Sequence, residues 1–207
     1  MRSLELLDAT LKNDPLNYGL LWRAARACYW ICDRSDDPQV DGRFGARGMD
    51  YASKALLLAP DAIEGHYYNA LCMAEYADSI SVVKALAQGV GNRLRDELEY
   101  CYQQQPLFDY AGPCIGLGRF YQLVPWPLRD RQRAQQAYQR ALQAFPWVYR
   151  NRVYLAELYI EMDKPDQANK LLDVDIACPQ GITDGWECGY FRQQAAELRQ
   201  SLVVDQP

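Results

Sequence analysis

Histidine is almost missing from this chain of 207 residues; His66 is the one copy. A single imidazole gives Ser/His or Cys/His catalysis little to work with, and no G-x-S-x-G elbow is present. Metal centres draw several His, Cys or carboxylate ligands together, and GLG at 116–118 is too short for a dinucleotide fingerprint. No catalytic residue, metal or cofactor is therefore expected, and the chain reads as a non-enzyme. His66 falls on a helix, where packing or hydrogen bonding is the expected role. Long apolar runs are missing too, none approaching the ~20 residues of a membrane span. Nor is there an excess of positive charge: 22 Lys and Arg stand against 27 Asp and Glu, a net charge of −5. Nucleic acid is not an expected partner, because such a surface needs a concentrated basic stripe. The arginines of 129–140 are diluted by glutamine and alanine and read as a solvated helix face. With 49% hydrophobic and 24% charged residues, the chain has the makings of a substantial core.

Two features leave the compartment open. The opening stretch MRSLELLDATLKNDP puts Leu4, Leu7 and Leu11 on one helical face with acids between them, without the continuous apolar segment of a secretory signal. A cytoplasmic chain and a trimmed mature form with an added Met1 both fit. The seven cysteines are an odd number. Cys28, Cys32, Cys72, Cys101 and Cys114 fall inside helical patterns, as small apolar fillers do. Cys178 and Cys188 bracket CPQGITDGWEC, a loop that a disulfide closes in an oxidising compartment and leaves open otherwise.

What the chain has is a repeat. AQQAYQRALQAFP, residues 134–146, spends inward helix positions on Ala134, Ala137 and Ala141, sets Tyr138 between them and stops at Pro146. Alanine there implies a second helix passing too close to admit leucine. NRVYLAELYIEMDKPDQANKLL follows, and Ala168 stands 34 residues after Ala134. A period of ~34 with a small–x3–aromatic second helix and a terminal proline resembles the tetratricopeptide repeat (TPR). Pro60 and Pro106 end similar helices upstream, with Gly48, Ala52 and Ala55, then Leu94, Leu98 and Cys101, in the corresponding slots. The expected fold is all-α: a TPR-like solenoid of about four helical hairpins, near residues 15–60, 61–106, 107–146 and 147–175, forming one domain over 1–207. DRSDDPQVDGRFGA reads as a surface loop inside the first hairpin. DSISVVKALAQGVGN, with Val82, Val83, Leu86 and Val90, reads as a packed helical insert in the second. A last helix over 186–204 is expected to cap the stack, since an open helix pair exposes its apolar side.

Fifteen tyrosines and five tryptophans concentrate on the first helices of these hairpins, which line the concave surface of a TPR stack. Inward positions should be Trp22, Arg26, Tyr29 and Trp30; then Tyr67, Leu71 and Glu75; then Ile115, Arg119 and Gln122; then Arg150, Val153 and Glu157. An aromatic and aliphatic lining with a few arginines suits a hydrophobic small-molecule acid or a partner segment carrying a carboxylate.

The run HYYNALCMAEYADSISVVKAL, RDELEYCYQQQP and GRFYQLVPWPLRDRQRAQQAYQRALQAFP, closing on the NRVYLAE start of the last pair, resembles the T component of TPR-associated TRAP transporters over residues 15–173. Eukaryotic TPR regulators of microtubule dynamics share a similar organisation. The transporter resemblance implies a periplasmic accessory protein with a hydrophobic channel, docked on the transporter's solute-binding protein, although this chain carries no signal segment or lipobox cysteine. A generic scaffold holding a peptide or partner helix in its groove is the alternative, cytoplasmic placement stays open, and self-association into a homo-oligomer is compatible with either.

Overall fold

A computed structural model describes residues 1–80, 82–174 and 185–204. Among them every regular element is helical, and they gather into two compact units, residues 1–105 and 106–207.

The first unit opens with α1 (Arg2–Leu11), whose Leu4 and Leu11 are buried and whose Leu7 packs beside them. Asp8 on its outer side holds Arg47 and the Tyr51 hydroxyl of the third helix. The first hairpin is α2 (Tyr18–Cys32) and α3 (Pro38–Leu58). Asn17 starts α2 by accepting the Leu20 N–H at 3.0 Å. Helix α3 begins well before the sequence reading places it. Asp37 accepts the Gln39 N–H at 2.9 Å and Pro38 supplies the first turn, so only residues 33–37 connect the two helices. The expected surface loop over DRSDDPQVDGRFGA is thus mostly helix. Its glycines are contact residues instead: a Cβ on Gly45 would meet the Cys72 carbonyl oxygen and the Tyr76 nitrogen of the next helix at 2.9 Å.

The second hairpin is α4 (Ile63–Ser79) and α6 (Val90–Gln104), with the short α5 (Val82–Ala87) between them as the expected insert. Ala85 and Val90 are buried against Met73 of α4; the side chains of Val82, Val83 and Leu86 lie outside the described residues. Gly89, at φ +70°, makes the left-handed turn into α6.

In the second unit, α7 (Phe108–Leu123) pairs with α8 (Arg131–Ala144), and α9 (Tyr149–Glu161) with α10 (Pro165–Leu172). Asp109, Tyr110 and Ala111 have positive φ, so the long connection after Pro106 is a left-handed turn, and the regular helix sets off around Pro113. On α8, Ala134, Ala137, Tyr138 and Ala141 are all buried. A Cβ on Gly118 would lie 2.3 Å from the Tyr138 ring, so α7 and α8 touch through a glycine and an aromatic face. Helix α11 (Gly185–Val204) covers α9 and α10 as the expected cap, with Phe191 edge-on to Tyr154 at 5.3 Å. Cys188 on α11 is disulfide-bonded; Cys178 lies outside the described residues.

Candidate functional site

Neighbouring first helices pack side by side within each unit, α2 with α4 and α7 with α9. In the first unit Trp22 lies nearly parallel to Tyr68 of α4, ring centroids 5.8 Å apart, and Tyr67 meets Tyr68 edge-on at 5.1 Å. The Arg23 guanidinium stands 4.4 Å over Trp22 and that of Arg34 4.9 Å over Trp30. Trp30 in turn rests against Tyr29, whose hydroxyl donates to Asp33 at 3.1 Å. Trp22, Arg26 and Trp30 follow one another at four-residue spacing, so arginine and tryptophan share one face of α2, and Arg34 stands just past its end. Arg26 is exposed there and, among the described residues, pairs with no carboxylate. Stacked arginines keep their charge and lose less freedom when they bind, because the ring already fixes the plane of the guanidinium.

Glu75 of α4 sits where this face meets three acids. Burial, and then the charges of Asp33, Asp78 and Asp41, push its pKa up to about 8. Asp41 is itself raised, first by burial and then by Asp37, Asp78 and Asp36. Leu71 is half-buried on the same helix.

The second unit treats its arginines differently. Arg119 is 2.7 Å from Glu157 and 4.4 Å over the Tyr154 ring. Burial raises the Glu157 pKa and Arg119 opposes that rise. Gln122 donates to Glu161 at 2.7 Å and accepts from the Tyr138 hydroxyl at 2.7 Å. Arg150 pairs with Glu187 at 3.1 Å and reaches the Asp109 carbonyl at 3.3 Å. Two of the three arginines expected to receive a carboxylate already hold one from their own chain. Tyr67, Ile115, Gln122 and Val153 are buried, Val153 at 0% exposure, and act as packing residues here. The structure therefore concentrates the candidate surface on Trp22, Arg26, Tyr29 and Trp30. It adds the exposed Arg23 and Arg34, which the sequence reading missed, while Tyr68 is buried beneath Trp22 as a packing residue like Tyr67. Arg23 follows Trp22 directly and Arg34 stands four residues after Trp30, spacings that could have pointed to them.

His66 performs the expected hydrogen bonding. Its Nδ1 lies 2.5 Å from Glu97, its Nε2 lies 2.7 Å from the Pro60 carbonyl, and its ring rests 4.1 Å from Tyr100. Arg152 does the same in the fourth hairpin: six residues after Pro146, its Nε donates to that proline's carbonyl at 2.9 Å. The imidazole thus occupies a structural position that a guanidinium fills elsewhere in the chain. Burial pushes the free thiols up as well, Cys28, Cys32 and Cys101 to about 12 and Cys114 to about 11.

Comparison with known proteins bears on the hairpins. Residues 1–93 match the family of regulator of microtubule dynamics proteins 1-3, and residues 128–177 match a tetratricopeptide repeat family. The crystal structure of a thermophilic TPR protein from Thermus thermophilus superposes with a TM-score of 0.68 at 17% identity, covering 94% of this chain and 88% of that one. The fold is that of TPR proteins. MamA is a second structural neighbour, with a TM-score of 0.54 at 14% identity over 97% of this chain and 89% of its own. No curated protein matches the sequence. Repeat arrays of this kind stack their hairpins into extended concave surfaces that can serve binding.

Proposed function

We propose that this TPR protein is a non-enzymatic accessory that holds an apolar ligand or partner segment ending in a carboxylate on the face of α2 and α4. The observation that carries the reading is Arg26, exposed without an internal carboxylate between the half-buried rings of Trp22 and Trp30. The aromatic pair supplies apolar contact, and the guanidinium supplies a charge-assisted bond to the acid end. The transporter reading names the solute-binding protein of a TRAP-type system as the partner and a hydrophobic acid as the ligand, in the periplasm. Its support is the resemblance over residues 15–173, together with the disulfide at Cys188, since disulfides persist in oxidising compartments. The match of residues 1–93 to the microtubule-regulator family favours a second reading, a scaffold that takes a peptide or a partner helix.

Titration with two probes separates them: palmitate, and an apolar peptide with a free C-terminal carboxylate set beside its amidated twin. Arg26→Ala and Trp22→Ala should each weaken the bound probe about tenfold, near 1.4 kcal/mol, Arg26→Ala with melting unchanged and Trp22→Ala with the stack still folded. Binding of palmitate alone selects the small-molecule role; binding of the free-acid peptide alone selects the scaffold. Unaltered affinity in Arg26→Ala removes the basis of the proposal.

A further inference from the structure

The turn between α7 and α8 is unused by the binding face of α2 and α4. Leu123, the last residue of α7, and Trp126 of the turn have 55% and 86% of their surfaces exposed, and Pro125 and Pro127 are exposed beside them. Exposed apolar side chains are ordinary singly, but a cluster on one turn marks an interaction surface. This turn is also tightly held. The Leu128 N–H donates to the Pro125 carbonyl at 3.0 Å, the Asp130 N–H to the Tyr121 carbonyl at 3.0 Å, and Arg129 Nε to the Val124 carbonyl at 3.1 Å. Asp130 then accepts the Gln132 and Arg133 N–H groups at 3.0 Å and starts α8. The turn is thus held by its own hydrogen bonds while its apolar side chains stay exposed.

After Pro127 in the chain come Arg129, Arg131 and Arg133, all exposed. The single acid between residues 123 and 133 is Asp130, and its carboxylate is engaged in the cap. Arg131 has only a 4.0 Å contact with Glu161, and Arg133 reaches the Tyr121 hydroxyl. In a chain of net charge −5 this puts three exposed arginines within five positions directly after the apolar turn, Arg133 lying over the Tyr121 ring.

We infer that this turn is a wedge for the surface of an anionic lipid bilayer, with Trp126 and Leu123 entering the interfacial layer and Arg129, Arg131 and Arg133 facing the headgroups. Tryptophan favours that layer, and arginine gains attraction from an anionic leaflet. An exposed apolar turn suits a bilayer, which yields around it, whereas a protein partner must offer a matching cavity. One short apolar turn plus a run of arginines makes a reversible contact, weaker than a lipid anchor.

The full chain is tested by co-sedimentation with phosphatidylcholine vesicles and with vesicles in which about a third of the lipid is phosphatidylserine. Sedimentation with the anionic vesicles, reversed by salt, is expected. Trp126→Ala should reduce the bound fraction at least several-fold with an unchanged melting curve. Leu57→Ala, at a position 83% exposed on α3, should bind like the parent. Failure of the parent to sediment overturns the inference, as does equal binding by Trp126→Ala. Equal losses in Trp126→Ala and Leu57→Ala overturn it too, as would a protein partner that captures the turn while vesicles do not.

Discussion

Glu75 shows what a sequence conceals about a single side chain. Its place on the inward side of a first helix is readable from periodicity; its confinement is not, because Asp33 and Asp41 come from other parts of the chain to join Asp78 of its own helix. Cys32 and Cys72 are close enough to feel its charge. The native state holds a proton here up to a pH of about 8, whereas an ordinary glutamate releases it near 4.5. The stability this contributes is complete below 4.5, declines as the pH climbs toward 8, and is gone above that, because the unfolded chain binds fewer protons than the folded one across that window. Glu75→Gln removes the group that must ionise. We expect the variant to melt several degrees above the parent at pH 8.5, on the order of 2 kcal/mol after allowing for partial exposure, and close to the parent at pH 4.5. An offset that is the same at both pH values would contradict the assignment.

At the scale of helices, the hairpins were legible because their punctuation is covalent. Pro60, Pro106 and Pro146 end second helices by lacking a donor, and Asn17, Asp37 and Asp130 start others by accepting N–H groups. The first hairpin misled because glycine has two uses. DGRFGA looks like a loop, yet Gly45 is buried in α3, where it lets that helix approach α4, as does Gly48 in the slot expected of it. The paired arginines of α9 and α7 misled for another reason: periodicity shows which way a residue faces but not which carboxylate the neighbouring helix brings. Gly118 tests the close-packing rule directly. An added Cβ would lie 2.3 Å from a Tyr138 ring that is fully buried, stacked on Tyr154 and tied to Gln122. The ring has nowhere to retreat, so Gly118→Ala should cost about 3 kcal/mol, the upper end of overpacking. Thermal melts followed by circular dichroism should show a fall of several degrees with helicity retained at low temperature; an unshifted midpoint would mean that the two helices separate without penalty.

At the scale of the molecule, the cysteines among the described residues are of two chemical kinds, and that division bears on the proposed compartment. Cys28, Cys32, Cys72 and Cys101 in the first unit and Cys114 in the second are buried and free. Burial raises every one of them, so hardly any thiolate exists at pH 8. Cys188 is the other kind, already oxidised. Composition alone left the state of Cys188 undecided, since the stretch it brackets with Cys178 is bridged in an oxidising compartment and open otherwise. Iodoacetamide at pH 8 should leave all five buried thiols unmodified in the native protein and modify all five in denaturant, while Cys188 should be labelled only after reduction. Intact-mass measurement with peptide mapping reads each position separately. Labelling of Cys188 in denaturant without reductant would strip the oxidising-compartment reading of its chemical support and shift the balance to a cytoplasmic scaffold, leaving the stripe of arginine and tryptophan on α2 to be tested against cytoplasmic partners alone.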